Sequence, residues 1–263
     1  MAPVLASDSA IVGNMIDQRA KRVRRVGHKG AAHIEHGNTL ASFDAALRHR
    51  MDMIELDVLS ENRDGSGRLL VAHDHEDLGR RTPVTFEQAL EHLSGDAFAD
   101  IELDVDVKLP GYELRVVDAL RAHGLVPRTL ISGMFQGCLA RIRAAEPALR
   151  LGWSVPRVRR DYTTDMLTAI PALAILTGYR AALPRRARAA LRDGRYDAIM
   201  AHWRVVTPAL VRAVASGGGE LYVWTVDDAR MIAKLTDMGV DGIITNDPRL
   251  FEQDGRPLSR SGR

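Results

Sequence analysis

Alternation constrains this chain most: short β-branched or apolar runs are separated, repeatedly, by segments whose apolar residues recur at helical spacing. The strand-like runs are Val23–Gly27, Met53–Leu59, Leu69–Ala72, Ile101–Val107, Thr129–Ser132, Arg150–Trp153, Ala198–Ala201, Leu221–Thr225 and Gly242–Thr245. Helical spacing occupies Thr39–Arg50, Thr85–Leu93, Glu113–His123, Phe135–Ala144, Pro208–Ser216 and Asp228–Met238. Strand, helix and strand in succession form the unit of a parallel sheet covered by helices. About eight parallel strands in a 263-residue chain favour one α/β domain, a (β/α)8 TIM barrel, over an open doubly wound sheet. No Gly-x-Gly-x-x-Gly turn supports a dinucleotide fold. The barrel is expected over residues 23–251, residues 1–22 being an N-terminal extension and 252–263 a C-terminal tail rich in Gly, Pro, Ser and Arg.

Charge and cysteine usage narrow the function classes. A formal charge of +2 asks for no nucleic acid partner. No run approaches the roughly 20 apolar residues of a transmembrane segment. The basic run Lys21-Arg22-Val23-Arg24-Arg25 follows a weak apolar run, the reverse of a secretory signal. Cys138 is the single cysteine, so an internal disulfide and a thiolate metal cluster are excluded, and a cytoplasmic location is expected.

The chemistry gathers at strand ends. Glu55 and Asp57 are two apart on one strand, so both side chains point to one side. Asp104, Asp106 and Lys108 share a face of another strand by the same parity. Two carboxylates about 4 Å apart repel by roughly 4 kcal/mol at an effective dielectric near 20. Three together therefore need protons or a cation. All-oxygen donors favour a divalent cation such as Mg²⁺ or Ca²⁺ over Zn²⁺. Salt-bridging to Lys or Arg in an inward polar layer is the structural alternative. His28, ahead of Gly30, and His73, after Leu69–Ala72, lie where a barrel presents its catalytic rim. A rim histidine alone is more often structural; beside an acidic pair, two could exchange a proton in opposite directions, as phosphodiester cleavage requires.

These motifs, in order, resemble the glycerophosphodiester phosphodiesterase family, within the phosphatidylinositol-phospholipase-C-like phosphodiesterase barrels. The likeness runs over residues 24 to 250: His28-Lys29-Gly30…Gly37-Asn38-Thr39, Ile54-Glu55-Leu56-Asp57-Val58, His73-Asp74, Asp106-Val107-Lys108, Val223-Trp224-Thr225-Val226 and Gly239-Val240-Asp241-Gly242-Ile243-Ile244-Thr245. The resemblance implies hydrolysis of glycerophosphodiesters, with Glu55, Asp57 and Asp106 holding the cation. By the same resemblance His28 and His73 are the acid/base pair, Lys108 stabilises phosphoryl charge, and Lys29 and Trp224 contact substrate. Trp203, with His202 at the end of a late strand, is a further candidate for substrate contact. Asn38 and Thr39 are read as caps of the first helix, and His33, His36, His75 and Glu76 as exposed loop residues.

The chain also departs from the pattern. Lys29 stands where the family has arginine, which removes the bidentate fork. Gly37 replaces the signature glutamate. Asp106 replaces a glutamate, as in sphingomyelinase-D-like barrels. The insertion usual after the second-strand region is reduced or missing, since about ten residues separate His73 from Pro83-Val84-Thr85-Phe86-Glu87. Ser154–Arg195, with nine arginines against three aspartates, is a candidate replacement for that roof and for peripheral contact with anionic lipid. The expected partner is a small-molecule or lipid phosphodiester. A lysophospholipase-D-like or sphingomyelinase-D-like enzyme and a noncatalytic barrel binding phosphate ligands are the rival readings.

Overall fold

The computed structural model describes residues 22–156 and 166–252, the side chains of 166–175 excepted; all but the last residue of the expected extension, all but the first residue of the expected tail, and Arg157, Arg159 and Arg160 lie outside the described residues. The elements run β1 (Arg24–Gly27), α1 (Leu40–Arg48), β2 (Met53–Ser60), β3 (Leu69–Val71), α2 (His75–Arg80), α3 (Phe86–Leu93), β4 (Glu102–Val107) and α4 (Glu113–Ala122). They continue with β5 (Thr129–Gly133), α5 (Gln136–Ala145), β6 (Arg150–Val155), α6 (Met166–Arg192), β7 (Ala198–His202), α7 (Pro208–Gly217), β8 (Glu220–Trp224), α8 (Ala229–Met238) and β9 (Gly242–Thr245). Eight strands pair parallel in the order β1-β9-β8-β7-β6-β5-β4-β2, and β1 pairs with β2 to close the barrel. The chain is a (β/α)8 barrel.

One strand corrects the expectation. Leu69–Val71 joins no parallel ladder; it pairs antiparallel with the upper end of β2, Val58 opposite Val71 and Ser60 opposite Leu69. A three-residue apolar run carries no directional signal, and the turn at Asn62–Gly67 returns the chain onto β2. The connection from there to α3 is the six-residue α2, in line with the reduced insertion.

Side chains on the strands separate two cores. Outward residues pack beneath the helices around Phe43, Phe86, Leu103 and Ile199. Inward residues make a small second core of Val26, Met53, Leu130, Ala198, Met200, Tyr222 and Ile244. The register stacks the interior in layers drawn from alternate strands. The bottom layer is a closed ring of charge. Arg24 lies 3.4 Å from Glu102 and 2.7 Å from Glu220, while Arg150 lies 2.7 Å from Glu102 and bonds Glu220. Above them the Tyr222 hydroxyl accepts from Arg24 at 2.5 Å and from Arg150 at 3.3 Å.

Helix ends follow local chemistry. Thr39, Thr85, Thr207 and Asp228 accept from first-turn amides as N-caps. The helix α6, 27 residues long, fills most of the stretch read as a possible roof. Its Leu183, Ala187 and Ala190 are buried, and it packs against α7, so that half belongs to the ring of barrel helices. Arg180, Arg185, Arg186, Arg188 and Arg192 are exposed on it. Among the described residues, no helix is long and apolar enough to cross a membrane.

Candidate active site

The site begins where β1 ends. In the turn His28-Lys29-Gly30, Lys29 has φ +52° and Gly30 has φ +86°. A Cβ on Gly30 would lie 2.5 Å from the Ser42 carbonyl oxygen, so this approach of the turn to α1 requires glycine. The left-handed Lys29 aims its backbone N–H at Glu55 Oε2, 2.7 Å away, while its ammonium reaches within 3.6 Å of Asp57 Oδ2.

Adjacent strands β2 and β4 bring the acidic groups together. Glu55 pairs in register with Asp104 and Asp57 with Asp106. One oxygen from each of Glu55, Asp57 and Asp106 lies within 4.8 Å of the other two. Burial, reinforced by the charge on Asp57, holds the Glu55 carboxyl well above the usual range. Burial pushes on Asp57 in the same direction, but Lys108 and Lys29 outweigh it and keep that carboxyl well below the usual range. The ammonium of Lys108 lies 2.5 Å from Asp57 Oδ1 and 2.6 Å from Asp106 Oδ2. Burial works against its charge, yet Asp106, Asp57 and Glu55 raise its pKa well above the ordinary value. One layer lower, Asp104 is pushed up to about 7, chiefly by burial. A hard divalent cation fits this donor set: three carboxylates, all oxygen, with Glu55 pushed toward protonation by burial and by the charge on Asp57.

Asn38 departs from the capping expectation. Thr39 is the N-cap of α1, whereas Asn38, 1% exposed and at φ +60°, turns inward. Its Nδ2 donates to Asp57 Oδ2 at 2.8 Å, and its Oδ1 accepts from the Asp57 N–H at 3.1 Å. This two-point hold fixes the carboxylate that both lysines also touch.

His28 is oriented by a relay from the end of β9. Asp227 accepts from the Thr245 hydroxyl (2.9 Å), the Asn246 N–H (2.8 Å) and Asn246 Nδ2 (2.6 Å). With its amide nitrogen committed to that carboxylate, Asn246 presents Oδ1 to His28 Nδ1 at 2.6 Å. Nδ1 therefore carries the proton and Nε2, 3.9 Å from Glu55 Oε2, keeps its lone pair. Burial, with help from Lys29, lowers the His28 pKa to about 4. Sequence reasoning missed Asn246 and Asp227, although Asn246 follows a barrel strand at its C-terminal end, the position where barrels place functional groups.

The remaining expected residues separate. His73 follows the hairpin strand back to the level of Asp57, whose carbonyl accepts from the Ala72 N–H at 3.2 Å. Its ring is half exposed, with Nδ1 3.0 Å from Asp74 Oδ2, and does not line the cavity. That cavity, about 60 Å³, is bounded at its upper end by His28, Glu55, Asp106, Lys108 and Trp224. Trp224 is tied by Nε1 to the Met200 carbonyl at 2.9 Å and stands edge-on to His202 at 5.1 Å. Trp203 lies in the short helical turn Trp203–Val205, with the Arg204 guanidinium 5.1 Å over its ring, and does not line the cavity. The loop histidines His33 and His36 are exposed, while His75 opens α2 and is partly buried.

Residues 84–250 match the sequence model of the glycerophosphoryl diester phosphodiesterase family. The chain is 25% identical over 257 residues to a glycerophosphodiester phosphodiesterase of Caldanaerobacter subterraneus subsp. tengcongensis, covering 85% of this chain and 93% of that protein. A glycerophosphodiester phosphodiesterase of Bacillus subtilis is 23% identical over 300 residues, covering 96% and 92% of the two chains. Among solved structures, a glycerophosphodiester phosphodiesterase from Parabacteroides distasonis superposes with a TM-score of 0.69 at 17% identity, over 89% of this chain and 97% of that one. An Oleispira antarctica phosphodiesterase in complex with sn-glycerol-3-phosphate gives 0.62 at 17% identity, over 88% and 95%.

Proposed function

The chain belongs to the glycerophosphoryl diester phosphodiesterase family, and from that premise we propose that it is a divalent-cation-dependent enzyme that splits glycerophosphodiesters into an alcohol and glycerol 3-phosphate. One observation carries the reading: three carboxylates converge on the mouth of the barrel beside a histidine whose free Nε2 faces them. Glu55, Asp57 and Asp106 would hold the cation, Mg²⁺ or Ca²⁺, which supplies Lewis-acid polarisation of the phosphoryl group and neutralises its charge.

The chain's own residues divide the proton work. His28, kept neutral by burial, accepts the proton of the attacking hydroxyl at Nε2 while Asn246 holds the proton on Nδ1. His73, at the edge of the mouth beside Asp74, delivers a proton to the oxygen of the departing alcohol. Lys108 and Lys29 offer their ammonium groups to the charge that develops on phosphorus oxygens. If the attacking hydroxyl is the substrate's own, a cyclic phosphate forms as the alcohol leaves, and water opens it through the same two histidines in reversed roles. Attack by water gives the same products in one displacement. The wall beside the alcohol is Trp224, and the lone Cys138 favours a reducing compartment, the cytoplasm.

The test is product formation from glycerophosphocholine, glycerophosphoethanolamine and glycerophosphoinositol by chelator-stripped enzyme, with and without Mg²⁺ or Ca²⁺. Turnover should require the ion and fall at least a hundredfold in His28→Ala and Glu55→Ala, following the usual weight of a general base and a metal ligand. Turnover unaffected by chelation, or retained in either variant, would remove the basis for the proposal.

A further inference from the structure

The flank of the barrel formed by α6 and α7 carries positive charge that the carboxylate site does not use. Residues 166–219 contain eight arginines and two acidic residues, Asp193 and Asp197. Both carboxylates are taken, Asp193 by Arg195 at 3.1 Å and Asp197 by Arg143. Neither α6 nor α7, which pack on each other, holds an acidic residue. Arg180, Arg185, Arg188, Arg192 and Arg212 are exposed and have no carboxylate partner among the described residues, whereas Arg68, Arg80, Arg121 and Arg249 elsewhere on the surface each have one. At 3.6 residues per turn Arg185, Arg188 and Arg192 fall within about 60° of one another, opposite the buried Leu183, Ala187 and Ala190. Like charges in a row repel, a cost that an anionic surface would relieve.

The other half of α6 is of a different kind. Residues 166–179, its first fourteen, include no charged residue and are mostly Ala, Leu and Ile. At 1.5 Å per residue α6 is about 40 Å long, against about 15 Å for α7. Gly217, the last residue of α7, lies against Arg188 and Leu191, where an added Cβ would be 3.1 Å from the Leu191 Cβ. The two helices therefore end together at the foot of the barrel, and the excess length of α6 stands on the side of the mouth. An uncharged apolar half continued by a basic half is the make-up of a helix that lies in a membrane interface.

We infer that the flank formed by α6 and α7 is a docking surface for an anionic lipid bilayer, its arginines meeting lipid phosphates while the uncharged half of α6 lies in the interface. The inference does not depend on the phosphodiesterase reading. A formal charge of +2 gives the whole chain little general attraction to polyanions, so the attraction is local to this flank. A nucleic acid would use the arginines alone and leave the uncharged half of the helix without a role. Docked on this flank, the barrel lies on its side with its mouth opening along the bilayer surface.

The experiment is co-sedimentation of the full chain with phosphatidylcholine vesicles, with and without roughly a third phosphatidylglycerol, at about 50 and about 300 mM NaCl. Wild type is compared with the triple variant Arg185→Glu, Arg188→Glu, Arg192→Glu. A control triple variant, Arg48→Glu, Arg63→Glu, Arg230→Glu, makes the same change in net charge at exposed arginines on other faces. Wild type should bind the anionic vesicles and not the neutral ones, and the higher salt should weaken binding at least tenfold. At about fivefold for each basic residue near the surface, the α6 variant should bind at least a hundredfold more weakly, and the control less than tenfold. Thermal unfolding checks that the variants are folded. Should the α6 variant fail that check, the milder Arg185→Gln, Arg188→Gln, Arg192→Gln takes its place, with a loss of about thirtyfold or more expected. Equal binding to neutral vesicles, no binding to anionic ones, equal losses in the α6 and control variants, or a DNA duplex bound as tightly as the anionic vesicles would each overturn the inference.

Discussion

Replacing Arg150 by methionine breaks the charge ring that closes the barrel floor, and the consequence can be worked from its geometry. Arg150 bonds Glu102 and Glu220 and donates to Tyr222, so its loss leaves two carboxylates facing the single guanidinium of Arg24. Removing one partner of a fully buried pair costs about 3–5 kcal/mol, because the other charge is stranded. These side chains keep 23–30% of their surface exposed, so solvent screens part of that, and about 2 kcal/mol is expected. For a chain of this size that lowers Tm by roughly 4–8 °C. The ring and the candidate site are the two ends of the same four strands. Arg24 precedes His28, Glu102 precedes Asp106, Arg150 precedes Ser154 and Glu220 precedes Trp224, each by four residues, or about 13 Å along the strand. The damage should therefore appear in stability, with kcat unchanged at temperatures where the variant is folded. The assay is urea denaturation of wild type, Arg150→Met, Glu220→Gln and the double variant. Because the double variant restores a neutral Arg24–Glu102 pair, it should be more stable than the sum of the two single losses predicts, by about 1 kcal/mol. A single-variant loss below about 0.5 kcal/mol, or strict additivity, would refute the reasoning.

Three further outcomes follow from contacts at the mouth. Asn246→Ala frees the His28 ring from the acceptor that fixes its tautomer, and should lower kcat about 10- to 100-fold while KM moves less than threefold, read by steady-state kinetics. Asn38→Ala releases the Asp57 carboxylate and should weaken cation affinity by about 10- to 100-fold, the usual effect of losing a group that orients a ligand, read by calorimetric titration. Gly37→Ala would place a Cβ 2.9 Å from Lys29 Cβ and 3.1 Å from Ala32 Cβ, and should cost roughly 1–3 kcal/mol of stability in urea denaturation.

Much of the architecture could be read before any coordinate. Alternation of strand and helix predicts the barrel, and period-two parity alone brings Glu55 and Asp57 to one side of β2 and Asp104, Asp106 and Lys108 to one side of β4. Parity says nothing about direction, and Leu69–Val71 ran antiparallel because a short apolar stretch suits either sense. The charge ring escaped because its members, Arg24, Glu102, Arg150 and Glu220, are scattered over nearly 200 residues and each reads as the ordinary polar start of a strand. Asn38 escaped because capping chemistry beside Thr39 accounted for it at no cost; only the fold reveals that its side chain belongs to Asp57. Trp203 was drawn toward the mouth by its place after β7, but the turn that follows lays its ring under Arg204 instead.

The central claim is that Glu55, Asp57 and Asp106 form one cation centre. Calorimetric titration of Mg²⁺ and of Ca²⁺ into chelator-stripped protein, wild type and Glu55→Gln, tests it most directly. The account predicts one ion per chain for the wild type and binding weakened at least a hundredfold in the variant, whose thermal unfolding shows it to be folded. No saturable binding to the wild type, or equal affinity in the variant, would contradict it.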